Sequence, residues 1–371
     1  MKVIQVAAPT TAGGLERVVE ALSIGLHHRG HESSVATLRF DSDPSHPFVD
    51  MLRSHGVTVH EVRIGTRSYL AERRALSKLF RRECPDVVHT HGYRIDLLDR
   101  RVAAKLGIPT VTTVHGASKT GGLKGALFEW LQRRNYRRFS AVVAVSDPLF
   151  AETLADGVPR DRLHLIRNAW GGQRAPLSRE EARHRMGVAS DEQVVGWVGR
   201  LIPVKGADVL IRAAALLPRP CPTIALVGYG PELQRLRTLA VEQGVGEAVR
   251  FYTDIRDAGR YFSAFDTFAL TSRSEGLPIV MLEAMAARTP IVATEVGGLP
   301  DALRGGAGWL CPPEDPEALA LAIHSSLEDR QEAEQRAERG TQRLEKEFSI
   351  GSFLDLYEDV YRSVLKSPQL R

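Results

Sequence analysis

Ser272-Arg273-Ser274-Glu275-Gly276-Leu277-Pro278-Ile279-Val280-Met281-Leu282-Glu283 follows a short apolar run and reads as a turn entering a helix. Pro278 suits a first helical position, where its missing N–H would have had no partner. Glu275 and Gly276 then lie on the loop, and Glu283 lies more than one turn into the helix. At 1.5 Å of rise per residue, Leu277 to Glu283 spans roughly 9 Å, about the reach from a sugar past a diphosphate to a ribose. Between the two carboxylates the helix start offers unpaired N–H groups and a positive dipole end to phosphates. A carboxylate accepts hydrogen bonds from two neighbouring hydroxyls, which suits a polyol. The same residues also fit a plain helix start with an acidic neighbour.

Outward from this segment, short apolar runs alternate with amphipathic stretches, the pattern of a parallel sheet wrapped by helices. Val3–Ala7 is a strand, and the loop to Gly13-Gly14 opens a helix over Leu15–His28. Ser34–Leu38, Val57–Val62, Val87–Thr90, Thr110–Val114 and Ala141–Val145 continue the strands. The pattern restarts with Val194–Val198, Ile224–Val227, Val249–Tyr252, Thr267–Leu270 and Ile291–Ala293. Two wound sheets of similar size predict two Rossmann-like domains, and 371 residues is too long for one comfortable core. Asn168 to Pro176 is Gly-rich and polar and reads as the linker. Leu319 to Glu347 reads as a charged, solvated helical face. Phe353, Leu356, Tyr357, Val360 and Tyr361 have the spacing of one buried helical stripe.

Hydrophobic content of 43% and charged content of 25% are those of a soluble globular protein. No apolar run approaches the ~20 residues that span a bilayer, and Val3–Ala8 is too short for a signal peptide. Cys84, Cys221 and Cys311 stand in no metal or redox spacing and read as thiols of a reducing cytoplasm. Residues 1–170 hold 25 Lys+Arg and 17 Asp+Glu, a net +8; the remainder holds 24 and 28, a net −4. Such asymmetry points the first half at something anionic, such as lipid headgroups or a phosphorylated acceptor. Charge alone would admit nucleic acid, but no recognition motif or interleaved aromatic platform supports it, and none is expected as a partner.

After the strand Val194–Val198 comes Gly199-Arg200-Leu201-Ile202-Pro203-Val204-Lys205-Gly206. An arginine there can hold a phosphate bidentately, while the lysine acts as a point charge. Thr110 to Gly116 ends a strand on His115, and Gly13-Gly14-Leu15-Glu16-Arg17 lets backbone N–H groups approach a ligand closely. His89-Thr90-His91 has His-x-His spacing, yet no third ligand stands nearby, and the reading is against a metal. Asp41-Ser42-Asp43 imitates an Asp-x-Asp metal motif but sits in a Pro-rich turn. Val227-Gly228-Tyr229-Gly230-Pro231-Glu232 lacks the third glycine of a dinucleotide fingerprint.

Together these segments resemble the retaining glycosyltransferases of family 4. Glu275 to Glu283 matches the E-x7-E motif, Gly199 to Gly206 the G-R-x4-K-G loop, and Gly228 to Glu232 the G-x-G-P-E turn. Ser146-Asp147 and Gly297-Gly298-Leu299-Pro300-Asp301 also fall on family positions. The resemblance implies a GT-B fold, two Rossmann-like domains with parallel sheets facing across a cleft. Its expected divisions are residues 1–170 for the acceptor and 171–347 for the nucleotide sugar, with 348–371 a helix crossing back to the first domain. It implies His115, Arg200, Lys205 and Glu275 as catalytic residues. Gly13, Gly14, Gly199, Gly276, Leu277, Pro278 and Glu283 would hold the nucleotide sugar, and His91 would line the acceptor pocket. No metal or cofactor is expected, and a nucleotide-diphosphate sugar is the co-substrate. The acceptor would be a glycan, a lipid-linked molecule or another hydroxyl compound. Arg167-Asn168-Ala169 departs from the Pro-Asn-Gly that relatives often carry at the linker, which bears on hinge geometry.

Leu123 to Phe139, with Arg133, Arg134, Arg137 and Arg138, is a candidate for peripheral contact with an anionic membrane. Its arginines share a sector with Leu123, Leu127, Trp130 and Leu131, where an interfacial helix would segregate them. A nucleotide-sugar epimerase, a glycan phosphorylase and a non-catalytic nucleotide-sugar subunit are the rival readings. The first would act without an acceptor, and the second would carry a pyridoxal-lysine context that is not evident.

Overall fold

In the computed structural model, backbone is described for residues 1–9, 13–39, 46–63, 68–116, 123–172, 175–255 and 257–366. Side chains are described for all of these except 93 and 123–129. The chain divides into two compact units, Met1–Ala169 with Ile350–Arg371, and Trp170–Ser349.

In the first unit the strands are β1 (Lys2–Ala7), β2 (Glu32–Arg39), β3 (Thr58–Arg63), β4 (Val87–His91), β5 (Thr110–Val114), β6 (Ala141–Ala144) and β7 (Leu163–Leu165). All pair in parallel, in the order β3-β2-β1-β4-β5-β6-β7. Val, Ile and Thr dominate the central strands, and β4, β5 and β6 are buried along their whole length. Strands covered on both faces have no polar side to present, so their sequences read as continuous apolar runs. The order reverses between β1 and β4. In open α/β sheets that reversal leaves a crevice at the strand ends. Register there sets Ala7 beside His91, and His91 beside Thr113.

The second unit repeats the architecture with β8 (Val194–Val198), β9 (Thr223–Val227), β10 (Val249–Tyr252), β11 (Thr267–Leu270), β12 (Ile291–Thr294) and β13 (Trp309–Cys311). These too are parallel, ordered β10-β9-β8-β11-β12-β13. The reversal lies between β8 and β11. Gly199-Arg200 therefore leaves one strand beside the crevice, and Thr271 to Glu275 leaves the other.

Three sequence expectations need correction. The stretch Leu319–Glu347 is two helices, Pro316–Glu328 and Arg330–Glu347, separated by Asp329, whose side chain accepts from the Glu332 N–H at 3.0 Å. Their inner faces, including Leu319, Ile323, Ala333, Ala337 and Leu344, are buried, so this is no wholly solvated surface. Along the helix Ile350–Lys366 the inward stripe is Phe353, Leu354, Tyr357, Val360, Tyr361 and Val364, while Leu356 points outward and is 47% exposed. The edge strands β7 and β13, three residues each, fall below what periodicity reveals. Asp41-Ser42-Asp43 and the side chains of Leu123 and Leu127 lie outside the described residues.

Candidate functional site

At the carboxyl end of the second sheet, Arg200 is exposed, and its guanidinium has no ion-pair partner among the described residues. The chain then makes a short 3-10 turn over Pro203–Lys205 and swings through Gly206 in a left-handed conformation, φ +66°. A Cβ at Gly206 would stand 1.9 Å from the Thr271 carbonyl oxygen. Thr271 donates to the Gly206 carbonyl at 2.8 Å and accepts from the Trp197 indole at 3.1 Å. The K-G turn is thereby fixed to the end of β11. Lys205 Nζ lies 2.6 Å from Glu275 Oε1, which also accepts from the Ser272 hydroxyl at 2.6 Å. The Glu275 side chain is 8% exposed and that of Lys205 26%. Lys205 has three N–H donors, so two remain for other oxygens.

Arg273, which sequence reasoning left without a role, organises this loop. Its guanidinium grips Asp208 through two bonds of 2.9 Å, reaches Glu314 at 2.5 Å and donates to the Pro203 carbonyl. Burial works against charge on Asp208, yet the Arg273 hydrogen bonds hold that carboxyl below its ordinary range. Sixty-odd residues separate the two partners, and no local pattern announces the pair.

Pro278 is the N-cap of the helix Ile279–Ala286, not its first residue; the extended ψ of 131° keeps it outside the helix. Gly276 accepts from the Gly298 N–H at 2.7 Å, and a Cβ on Gly297 would lie 1.9 Å from the Glu275 carbonyl. The loop after β12 thus packs backbone to backbone on Glu275-Gly276. Leu277 is buried. Glu283 is 8% exposed, and its carboxylate lies so close to the turn Ala258–Arg260 that a Cβ on Gly259 would come within 2.4 Å of Oε1. Arg200, Lys205, Glu275, Gly276 and the helix start therefore gather at one end of one sheet.

In the first unit, Gly13 is the N-cap of the helix Gly14–His28, with extended backbone, and nothing lies within 4 Å of a Cβ built on Gly14. Open space, and not backbone conformation, is what glycine supplies there. Ser146 caps the helix Asp147–Ala155 by position only, since its hydroxyl makes no hydrogen bond. His115 is half-buried after β5, and its Nε2 lies 3.2 Å from His91 Nδ1. The expectation for His91 changes: it is 1% exposed, and its other nitrogen lies 2.8 Å from Gln5 Oε1, so it can reach a ligand only through His115. His89 is likewise enclosed, between the Tyr361 hydroxyl at 2.8 Å and Thr113 at 2.9 Å. Among the described residues no three His, Cys, Asp or Glu side chains are placed to hold a metal.

Burial draws His115 down to about 4. It holds His89 and His91 well below the ordinary imidazole range, and neighbouring rings add to the effect. Asp96 goes the other way: burial pushes it up to about 7 against hydrogen bonds from Thr90, Thr112 and Gln132. Asp99 is also raised, by burial and then by the Glu72 carboxyl beside it. Depressed imidazoles bind protons on unfolding, so their contribution is complete above about pH 6.5 and lost as pH falls through it. Raised carboxyls favour the fold at low pH, and that advantage fades as pH rises from about 4 toward 7 and above. Stability should therefore peak near pH ~6.5, measured as denaturant midpoints at about pH 5, 6.5 and 8. Asp96→Asn should flatten the alkaline decline. A wild-type midpoint that climbs steadily to pH ~8 with no effect of the substitution would overturn this account.

Residues 12–169 match the family model for Glycosyltransferase Family 4, and residues 178–343 that for Glycosyl transferases group 1. A Mycobacterium tuberculosis protein named glycogen synthase is 30% identical over 95% of this chain and 92% of its own length. This chain belongs to the family 4 glycosyltransferases. Another relative of this glycosyltransferase is the Saccharomonospora viridis D-inositol 3-phosphate glycosyltransferase, 29% identical over 95% of this chain and 90% of that one. The Anabaena protein HepE in complex with UDP-glucose superposes with a TM-score of 0.86 at 21% identity, covering 98% of this chain and all of HepE. Sucrose-phosphate synthase from Thermosynechococcus elongatus superposes with a TM-score of 0.82 at 21% identity, over 98% and 99% of the two chains. The family 4 chain thus has the GT-B fold of two Rossmann-like domains. No helix among its described residues is long and apolar enough to cross a membrane.

Proposed function

We propose that this glycosyltransferase moves a sugar from a UDP- or GDP-linked donor to a hydroxyl of a glycan or lipid-linked acceptor, with retention and without a metal. The observation that carries the reading is the convergence of Arg200, Lys205, Glu275 and the start of the helix Ile279–Ala286 at one sheet end. A diphosphate gains charge as it leaves, so two cations and a helix dipole aimed at it favour the transition state over the ground state. Glu275 Oε1 is occupied by Lys205 and Ser272, while Oε2 has no protein hydrogen bond among the described residues and suits sugar hydroxyls. Glu283 is assigned to the ribose and His115 to the donor sugar.

In the front-face step, the bond from the anomeric carbon to the phosphate oxygen breaks as the bond to the acceptor oxygen forms on the same face. The acceptor's proton passes to the departing phosphate. The D-inositol 3-phosphate and glycogen in two relatives' names and the UDP-glucose bound to HepE are of the polyol and nucleotide-sugar kinds that this site suits. The first half's net charge of +8 favours an anionic or lipid-linked acceptor. So does the end of the helix Leu123–Tyr136, where Trp130 is 52% exposed beneath Arg134 at 5.0 Å. Peripheral contact with an anionic membrane from the cytoplasmic side belongs to the same reading.

Thermal stabilisation by UDP, GDP, ADP and their sugar conjugates, with EDTA present, tests it. One nucleotide should raise the melting temperature well beyond the others, by mass action on the folded state. No shift from any of them would remove the donor site from this sheet end.

A further inference from the structure

Within the first unit a chain of hydrogen bonds runs from His115 through the buried interior to the helix Ile350–Lys366. His115 Nε2 meets His91 Nδ1 at 3.2 Å, and His91 Nε2 meets Gln5 Oε1 at 2.8 Å. The Gln5 amide nitrogen donates to the Tyr361 hydroxyl at 3.2 Å, and that hydroxyl meets His89 Nδ1 at 2.8 Å. His89 Nε2 meets Thr113 Oγ1 at 2.9 Å, which meets the Tyr357 hydroxyl at 2.8 Å. Gln5, His89 and both tyrosines are fully buried. Nothing in the proposed transfer reaction accounts for the six polar side chains enclosed behind His115.

Such a chain has a direction. The Gln5 carbonyl oxygen can only accept, so the proton of His91 sits on Nε2. A neutral imidazole carries one proton, which leaves His91 Nδ1 bare, and His115 must donate to it from Nε2. Tyr361 accepts from Gln5 and passes its own proton toward His89 Nδ1, which puts the His89 proton on Nε2, facing Thr113. With the Gln5 amide so oriented, each of the three rings has a partner for its proton or its bare nitrogen within the chain, and burial keeps the imidazoles neutral over the physiological range. His115 Nδ1, with no partner among the described residues, is left as a bare acceptor.

We propose that His91 is a positioning residue that, anchored by Gln5 and Tyr361, holds His115 as the Nε2–H tautomer and presents its Nδ1 as acceptor for a hydroxyl of the bound sugar. The proposal rests on the transferase reading given above. A hydroxyl aimed at Nδ1 gains a bond only in this tautomer; the other would set N–H against O–H and force the hydroxyl to turn. The state of an imidazole more than 230 residues ahead of the helix Ile350–Lys366 in sequence is thus linked to how that helix docks.

Nitrogen-15 NMR of ring-labelled protein reads the tautomer directly. Wild-type His115 should be the Nε2–H form. In His91→Leu both tautomers should appear and kcat should fall about 10- to 100-fold, the usual cost of losing a group that orients a functional histidine. The nucleotide-induced melting shift should persist. His91→Asn, whose amide oxygen can stand where Nδ1 stood, should keep the tautomer and recover most of the loss. Gln5→Met, which leaves His91 unanchored, should mix the tautomers without touching either histidine, and it serves if His91→Leu does not fold. An Nδ1–H His115 in the wild type, or a pure Nε2–H form in both His91→Leu and Gln5→Met, overturns the proposal. Undiminished kcat in variants with mixed tautomers does so as well. A wild type that turns over no nucleotide sugar while its tautomer is Nε2–H defeats the transferase reading instead, and the positioning claim then stands on the spectra alone.

Discussion

Glu275→Ala should abolish sugar transfer while leaving the fold and nucleotide binding in place. In the proposed reaction the carboxylate does two things at once: Oε1 holds Lys205 at 2.6 Å and Ser272 at 2.6 Å, and Oε2 accepts from the sugar. Removing it takes away the sugar's anchor and the partner that orients the lysine, whose backbone turn stays in place and keeps it within reach of the phosphates. Losing one preorganised electrostatic contact typically costs 10²- to 10³-fold in kcat, and losing two together should cost about 10³-fold or more. The effect on stability is small by comparison. Lys205 is about a quarter exposed and can be hydrated, so the lost ion pair should cost only about 0–1 kcal/mol. Melting shifts with the preferred nucleotide should therefore survive, because the phosphates retain Arg200, Lys205 and the helix start. Glu275→Gln, which can still accept from Ser272 but carries no charge, should fall between. Nucleotide release from the donor, followed at saturating acceptor, is the measurement. Turnover of the Ala variant at the wild-type rate would mean that Glu275 does not touch the sugar.

The central strands were legible because each is buried on both faces and so reads mostly as Val, Ile, Thr, Ala and Leu. β7 and β13 were not, since three residues at a sheet edge carry neither length nor periodicity. The E-x7-E and G-R-x4-K-G segments were visible as local patterns, yet their mutual arrangement depends on pairs far apart in the chain. Glu275 meets Lys205 across 70 residues and Arg273 meets Asp208 across 65. Strand order and loop packing create those contacts, and no window of sequence contains them. His91 shows the converse. Its position at the end of β4 suggested a ligand contact, but register brings it beside β1 and β5, where Gln5 and His115 take both nitrogens. A polar residue at a strand end reads alike in sequence whether it faces a ligand or another buried side chain.

Gly206→Ala should be among the most damaging substitutions in the second unit, and Gly187→Ala shows why. The two glycines have nearly the same backbone conformation, φ +66° and +64°. An alanine in that left-handed region costs roughly 1–2 kcal/mol at either site. Around Gly187 a Cβ meets nothing within 4 Å, so the conformational cost is the whole cost. At Gly206 the Cβ falls 1.9 Å from the Thr271 carbonyl oxygen, a backbone atom at the end of β11 that cannot rotate away. Relief requires the turn to move. That breaks the bond from the Thr271 hydroxyl to the Gly206 carbonyl and carries Lys205, one residue earlier, away from Glu275. Overpacking of this kind adds about 1–3 kcal/mol, so Gly206→Ala should lose ~2–5 kcal/mol in all. For a unit of this size that corresponds to a fall of roughly 10 °C in the melting temperature, against only a few degrees for Gly187→Ala. The nucleotide-induced shift should also shrink in Gly206→Ala and remain whole in Gly187→Ala, because only the first displaces a cation from the phosphates. Equal losses of stability in the two variants would show that the turn accommodates the extra carbon, and that the contact with Thr271 does not hold Lys205 in place.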